Sequence, residues 1–456
     1  MKRFCLILVL ALVVFVFVAP ANAVDVHQVQ RVLRATGAEW TAGVTSVSHL
    51  SPAEMARYCN LQIMMPEGAD AYEEPLEVPT DIPAHLDWRD IDGQDFTTPI
   101  EDQGNCGTCA TFSSIGAFEA LIKVALNNPF IQPDLSEQAV YACEGFLPYT
   151  FFHPMAYLKK SGAPDMVCMP YECDGPGDRP PCEDQCDDWQ SRAFKTTDYR
   201  MMMFPSPDQI KAALQKGPIV AGFQVFEDFQ AYTGGVYVHK TGRLLGGHGV
   251  AVVGYDDAGQ YWICKNSWGP NWGEKGWFKI KWGSGLLGFG YQSFAIDVDA
   301  QTLCADEQAP VISDAMLANE EAILGQDEDL QVTFGYFDLE AHLAGGELWY
   351  SLDGGDEERY ESPLVELTGT SSAGRDAAFY ALPGTAEPGE HALRIYVKDL
   401  CGKASNEMSI TFTVEGEVSD DDGATDDDAT DDDQGGDDDQ SGVGDDDDDD
   451  NGGGCL

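Results

Sequence analysis

Three short segments, far apart in the chain, constrain its fold more than any other feature, because their chemistry is useful only if they meet. Gln103-Gly104-Asn105-Cys106-Gly107-Thr108-Cys109 offers an amide donor and a thiol. Gly247-His248-Gly249 offers an imidazole, and Asn266-Ser267-Trp268-Gly269 an amide able to orient it. These are the parts of a cysteine acyl-transfer centre. His248 and Asn266 stand 139 and 157 residues beyond Cys109, so one domain has to span all three segments and fold back to join them.

In this order the segments resemble the papain-like cysteine proteases, where His and Asn follow the nucleophilic Cys by about 130–150 residues. The resemblance covers residues 83–299, a little under half of the chain. It opens at Pro83-Ala84-His85-Leu86-Asp87-Trp88-Arg89-Asp90, which is similar to the mature N-terminus of that family. It implies an α+β fold in which a helical and a β-barrel-like subdomain face each other across a cleft, with Cys109 and His248 on opposite walls. Periodicity agrees with this. Phe112, Ile115, Phe118, Ile122 and Ala125 recur at helical spacing. The segments 250–255, 261–264 and 276–280 read as strands between turns.

By resemblance Cys109 is the nucleophile, His248 its base and later the acid, and Asn266 the residue that holds the imidazole, shielded by Trp268. A thiol at its ordinary pKa is mostly protonated, so Cys109 should begin a helix whose dipole favours thiolate, paired with protonated His248. Gln103 would donate to the oxyanion beside the Cys109 backbone N–H. Gly145, Gly247, Trp268 and Gln292 would contact substrate. The implied reaction is hydrolysis of peptide bonds through a thioester, on protein or peptide substrates, with no cofactor and no metal. Two departures stand out: Thr108 and Ala110 flank the nucleophile where the family usually has Ser or Ala and then an aromatic. In addition, Cys143-Glu144-Gly145-Phe146-Leu147 replaces a Cys-x-Gly-Gly segment. Two rivals are an inactive relative used for binding and a Cys-His acyltransferase. Joint retention of Gln103, Cys109, His248 and Asn266 weighs against the first, and Asn-Ser-Trp-Gly in place of an Asp orienter against the second.

Thirteen cysteines occur. The resemblance implies that Cys106 pairs with Cys143. The crowded segment around Cys168, Cys173, Cys182 and Cys186 resembles the occluding-loop region of cathepsin B, which implies Cys168 with Cys186 and Cys173 with Cys182. Four cysteines allow three connectivities, and a zinc site is the other use of such a cluster. The His pair that gives cathepsin B its dipeptide trimming is absent, so endopeptidase or aminopeptidase action is expected. Cys304 and Cys401 bracket a later segment and should staple it. Cys264, in an apolar strand, reads as a buried free thiol.

The ends of the chain differ from this middle. Lys2, Arg3, an apolar stretch from Phe4 to Ala19 and Ala21-Asn22-Ala23 read as a signal peptide over residues 1–23. Export to the medium or the cell surface follows, in a compartment where disulfides persist, and no later segment is apolar enough to cross a bilayer. Residues 24–82 then form a short propeptide that takes Cys59 with it and ends in the Pro- and Glu-rich stretch from Glu73 to Pro83. Residues 305–415 alternate at Leu330, Val332, Phe334 and Tyr336, at Leu393, Ile395 and Val397, and at Met408, Ile410, Phe412 and Val414. This predicts an immunoglobulin- or fibronectin-like sandwich. Residues 416–456 have almost nothing to bury and should be disordered. From Asp420 to Asp450 they hold 18 Asp and no Lys or Arg, part of a net charge of −52. Such a field excludes nucleic acid and anionic lipid as expected partners. The tail reads as a solvated spacer, with Gly452-Gly453-Gly454-Cys455 as a point of surface attachment.

Overall fold

The computed structural model describes residues 23–62, 78–144, 150–173, 175, 179–284, 289–305, 308–317, 323–324, 330–338, 345–360, 373–374, 380–382 and 388–414. The expected signal peptide up to Asn22, the stretch from Glu73 to Glu77 and the acidic tail lie outside them. Among the described residues no helix is long and apolar enough to cross a membrane.

The N-terminal segment is folded. Helix α1 (Val26–Thr36) starts at Asp25, whose side chain accepts from the Gln28 N–H, and stops at Gly37 in the left-handed conformation. Val29 and Leu33, one turn apart, are its buried face. Strand β1 (Trp40–Ala42) follows, and then α2 (Pro52–Tyr58), which opens with a capping box between Ser51 and Glu54 and Pro52 in its first turn.

Next come β2 (His85–Asp87) and the long helix α3 (Cys109–Ala125), then α4 (Glu137–Cys143) and α5 (Phe152–Lys160). Helix α3 is buried on nearly every side. The apolar stripe read from its sequence is therefore only part of what it hides, as expected for a helix with neighbours all round. After β3 (Asp198–Met203) and α6 (Pro207–Leu214) the chain becomes mostly strand: β4 (Ile219–Phe226), β5 (Tyr232–Tyr237), β6 (Leu244–Asp256), β7 (Tyr261–Lys265), β8 (Trp277–Lys281) and β9 (Gln292–Asp297). These form one sheet in the order β1-β5-β8-β7-β6-β4-β9-β3, with β2 also on β6. The N-terminal segment thus contributes a strand: Trp40 and Thr41 pair with Gly235 and Gly234. The α+β expectation for this part of the chain holds.

A short helix, α7 (Ala300–Leu303), leads to β10 (Val311–Leu317), β11 (Ile323–Leu324), β12 (Leu330–Phe337), β13 (Glu347–Leu352), β14 (Glu358–Arg359), β15 (Ala373–Gly374), β16 (Tyr380–Leu382), β17 (Gly389–Lys398) and β18 (Met408–Val414). They make two sheets, β10-β12-β15 with β16 on β12, and β11-β18-β17-β13-β14. The alternating residues Val332, Phe334, Tyr336, Leu393, Ile395, Val397, Ile410, Phe412 and Val414 meet between them in one core. This part is fastened to the loop after α3. Gln132 N–H donates to the Gly345 carbonyl at 2.8 Å, and the Arg359 guanidinium lies 3.7 Å over the Phe130 ring. A Cys304–Cys401 bridge closes the junction.

Two expected disulfides are corrected. Cys106 is bonded to Cys173, not Cys143, and Cys143 to Cys182, leaving Cys168–Cys186 as expected by resemblance. The cause is the path of the loop before α3. Gly104, at φ +56°, lies directly over Cys173, whose sulfur a Cβ there would meet at 3.3 Å, and this carries Cys106 onto the same segment. Cys143, at the end of α4, faces the turn at Cys182–Asp184 instead. Among the described residues Cys59, Cys109 and Cys264 remain free thiols, all buried.

Candidate active site

Cys109 is the first residue of α3, and Thr108 before it makes no side-chain cap bond, so the N–H groups of the first turn are left to stabilise negative charge at the sulfur. Gln103 is buried and fixed from both sides by one residue. Its N–H donates to the Ser267 carbonyl at 2.9 Å, and its Oε1 accepts from the Ser267 hydroxyl at 2.7 Å. That orients the Nε2 donor away from Ser267. His248 comes from the middle of β6. Its Nε2 lies 2.8 Å from Asn266 Oδ1. Since that oxygen can only accept, Nε2 carries the proton and Nδ1 keeps the lone pair of a base. Among the described residues no partner meets Nδ1 in hydrogen-bond geometry. Trp268 is fully buried, its ring 4.9 Å from the imidazole, which keeps water from the His–Asn bond.

The cleft is covered by the chain itself. From the last residue of α2 onward, residues 58–61 cross the site: the Tyr58 carbonyl accepts from Gln103 Nε2 at 3.2 Å, Asn60 bridges Gly247 in parallel, and Leu61 N–H donates to the Gly247 carbonyl at 3.0 Å. The Leu61 side chain fills a pocket formed by Phe151, Tyr291 and Gly222. A Cβ on Gly222 would meet Leu61 Cδ2 at 3.0 Å, so glycine there is what admits the side chain. Both reactive residues are fully buried as a result. Burial pushes the Cys109 thiol up to about 11, against the backbone N–H groups of Gly249, Asn60, Ala110 and Leu61. It pushes His248 down to about 4, against the bond to Asn266 and the backbone of Tyr58 on the covering segment. Between those values the covered pair is a neutral thiol beside a neutral imidazole, not the ion pair expected of an open site.

The structure brings Gln103, Cys109, His248, Asn266 and Trp268 together, with Gly247 of β6 bonded to the covering segment. Gly145 lies outside the described residues. Gln292 is buried, its amide 3.7 Å from the Met201 sulfur, while its neighbour Tyr291 meets the pocket that holds Leu61. Ala110 is buried in the cluster containing Cys109 and Leu61. Sequence reading missed Ser267, Tyr291 and the covering residues Tyr58 and Leu61. For Ser267 a signal existed, its place beside Asn266, but nothing local tied its hydroxyl to Gln103, 164 residues away.

A thiol at a helix N-terminus, an imidazole base with its free nitrogen and an amide that holds the ring define a cysteine nucleophile centre on a two-walled α+β fold. Residues 82–295 match the family described as papain family cysteine protease, and the chain belongs to that family. It is 35% identical over 214 residues to "Cathepsin B-like CP2" of Giardia intestinalis, covering 44% of this chain and 69% of that one. "Cathepsin B-like CP3" of the same organism is 37% identical over 196 residues, and there the match spans 40% of this chain and 63% of the relative. Of solved structures, the "proCathepsin B S9 from Trypanosoma congolense" shares the fold at a TM-score of 0.50 and 23% identity, over 61% of this chain and 98% of that one.

Proposed function

We propose that this chain is the precursor of an exported cysteine peptidase, held inactive by residues 24–82 until they are cut away. The observation that carries this reading is the Tyr58 carbonyl on Gln103 Nε2: a peptide carbonyl already occupies the donor that an oxyanion would need. In the uncovered site Cys109 passes its proton to His248 Nδ1, and the thiolate attacks a peptide carbonyl carbon. The oxyanion is held by Gln103 Nε2 and the Cys109 N–H. His248 then protonates the leaving amine, which departs as the C–N bond breaks and leaves a thioester. Water, deprotonated by His248, attacks the thioester, the C–S bond breaks and the acid product leaves. Asn266 keeps the ring in register throughout, and Gly247 supplies backbone for substrate, as it does for Leu61. The occupied pocket of Phe151, Gly222 and Tyr291 favours a bulky aliphatic side chain on the substrate.

The two C-terminal sheets sharing one core support an immunoglobulin- or fibronectin-like sandwich over residues 305–415, and the acidic tail remains our candidate for surface attachment. The test is mass spectrometry of the processed chain after a thiol-directed peptidyl epoxide, with Cys109→Ala as control. A single adduct on Cys109 together with hydrolysis of peptide amides is expected. A folded, processed chain with neither would turn the reading to an inactive binding protein.

A further inference from the structure

The loop from Gln103 to Thr108 spaces the two oxyanion donors, the Gln103 amide at its start and the Cys109 N–H just past its end, and has no regular structure of its own. Something outside it must fix the distance between them. One side chain touches both ends. Tyr171 donates its hydroxyl proton to the Gln103 carbonyl at 2.8 Å, and its oxygen lies 2.8 Å from Thr108 Oγ1. A tyrosine hydroxyl has one proton, and the Gln103 carbonyl takes it, so Thr108 is the donor in the second bond. The Tyr171 ring meets Phe112, in the first turn of α3, edge to face at 4.7 Å. Two residues further on, Cys173 holds Cys106 at the middle of the same loop by the corrected disulfide.

We propose that Tyr171 is a positioning residue for the oxyanion hole, its hydroxyl setting the separation between the Gln103 amide and the Cys109 backbone N–H. The proposal rests on the peptidase reading above. It assigns a role to the segment 168–173, which sequence analysis treated only as a source of disulfides.

The test compares the processed wild-type chain with Tyr171→Phe, which keeps the ring against Phe112 and removes only the hydroxyl, and with Thr108→Val. Three quantities are read: kcat and KM on a peptide amide, the inhibition constant of a peptide aldehyde, whose adduct carries an oxyanion-like oxygen, and the rate at which a peptidyl epoxide labels Cys109. For Tyr171→Phe we expect kcat to fall about tenfold, a fraction of the 10²–10³ lost when such a donor is removed outright. KM should stay within about twofold. The aldehyde should weaken in parallel with kcat, while epoxide labelling, which alkylates the thiol without forming that oxyanion, stays within about twofold. Thr108→Val should reproduce the pattern, and the double variant should lose no more than Tyr171→Phe alone, because both break one bridge.

An unchanged kcat in both folded variants would overturn the proposal. So would equal losses in kcat and in labelling, since that marks general damage to the nucleophile. A wild-type chain that neither hydrolyses amides nor labels at Cys109 would sink the peptidase reading itself, and it would show before any variant was compared. If Tyr171→Phe fails to fold, Thr108→Val decides alone.

Discussion

Replacing Leu61 by alanine in the uncut chain should uncover the site without any proteolysis. The Leu61 side chain is 5% exposed and seated against Gly222, Phe151 and Tyr291. Truncating a buried leucine to alanine costs about 2–5 kcal/mol, according to how far the site can collapse. Here the lower end applies, because the vacated space lies in a cleft that opens to water once residues 58–61 lift away. A loss of about 2 kcal/mol changes the ratio of open to covered chains about 30-fold, at 1.36 kcal/mol per factor of ten. The covered pair is neutral and enclosed, so Cys109 reacts only in the open fraction, and labelling by a peptidyl epoxide measures that fraction. The assay is the rate of adduct formation at Cys109 in uncut wild-type and Leu61→Ala chains, with the modified peptide identified by mass spectrometry, because Cys59 is a second thiol on the cover. A rise of about 30-fold is expected. Equal rates would mean that Leu61 does not hold the cover down, and the pocket argument would fail.

Ser267→Ala removes the hydroxyl that fixes the Gln103 amide, so in the processed chain kcat should fall about tenfold with little change in KM. A fall in kcat/KM carried by KM instead would refute that role. Peptide mapping of the unreduced chain should recover Cys106 with Cys173 and Cys143 with Cys182. The first bridge closes a separation of 67 residues and contributes about 4 kcal/mol by chain entropy, and a peptide joining Cys106 to Cys143 would contradict the structure. Burial pushes Glu119 up to about 8, against nearby Lys265. The folded chain thus holds a proton that the unfolded chain has released above about pH 4.5. Stability contributed there falls as pH rises from about 4.5 to about 8, by up to about 1.4 kcal/mol per unit. Glu137, buried nearby, is pushed up in the same direction, so urea unfolding at both ends of that window should show the slope lessened in Glu119→Gln, and an unchanged slope in the variant would assign it elsewhere.

What could be read from the sequence followed from local chemistry. Cys109, His248 and Asn266 each sit in a segment whose neighbours announce the role, and the strand alternation from Val332 to Val414 is a period-2 signal that needs no partner to be seen. What escaped notice depends on contacts between distant segments. Cys106 was paired with Cys143 by resemblance, whereas its partner Cys173 depends on where Gly104 turns the loop in space. Leu61 and Tyr58 belong to a stretch read as a short propeptide, with neither residue singled out in it. Their function lies in the path that α2 sets for them across the cleft, and no periodicity records it. Tyr171 looked like one residue in a cysteine-rich loop, because a hydroxyl bridging residues 103 and 108 leaves no trace in spacing.

The neutral state of the covered pair has a consequence for how acid acts on the precursor. In the proposed mechanism, uncovering turns a neutral thiol and imidazole into a thiolate and an imidazolium. That moves a proton within the pair and takes none from solvent. Linkage then requires that this pair adds no pH dependence to opening wherever the covered pair is neutral and the open pair keeps both its charges, a range that on the acid side ends near the covered His248 value of about 4. Cys109→Ala breaks the balance. His248 stays neutral while buried but regains an ordinary pKa near 6.5 when exposed, so opening now takes up a proton, and below that pH the cover should weaken by up to tenfold per unit. Hydrogen exchange at the Leu61 amide, which donates to the Gly247 carbonyl when the site is closed, reports opening in both chains once corrected for intrinsic exchange. Protection should fall more steeply between pH 6.5 and 5 in Cys109→Ala than in the wild type, whatever other groups add equally to both. Parallel curves would show that uncovering leaves the wild-type pair neutral, and the thiolate would then have to form only when substrate arrives.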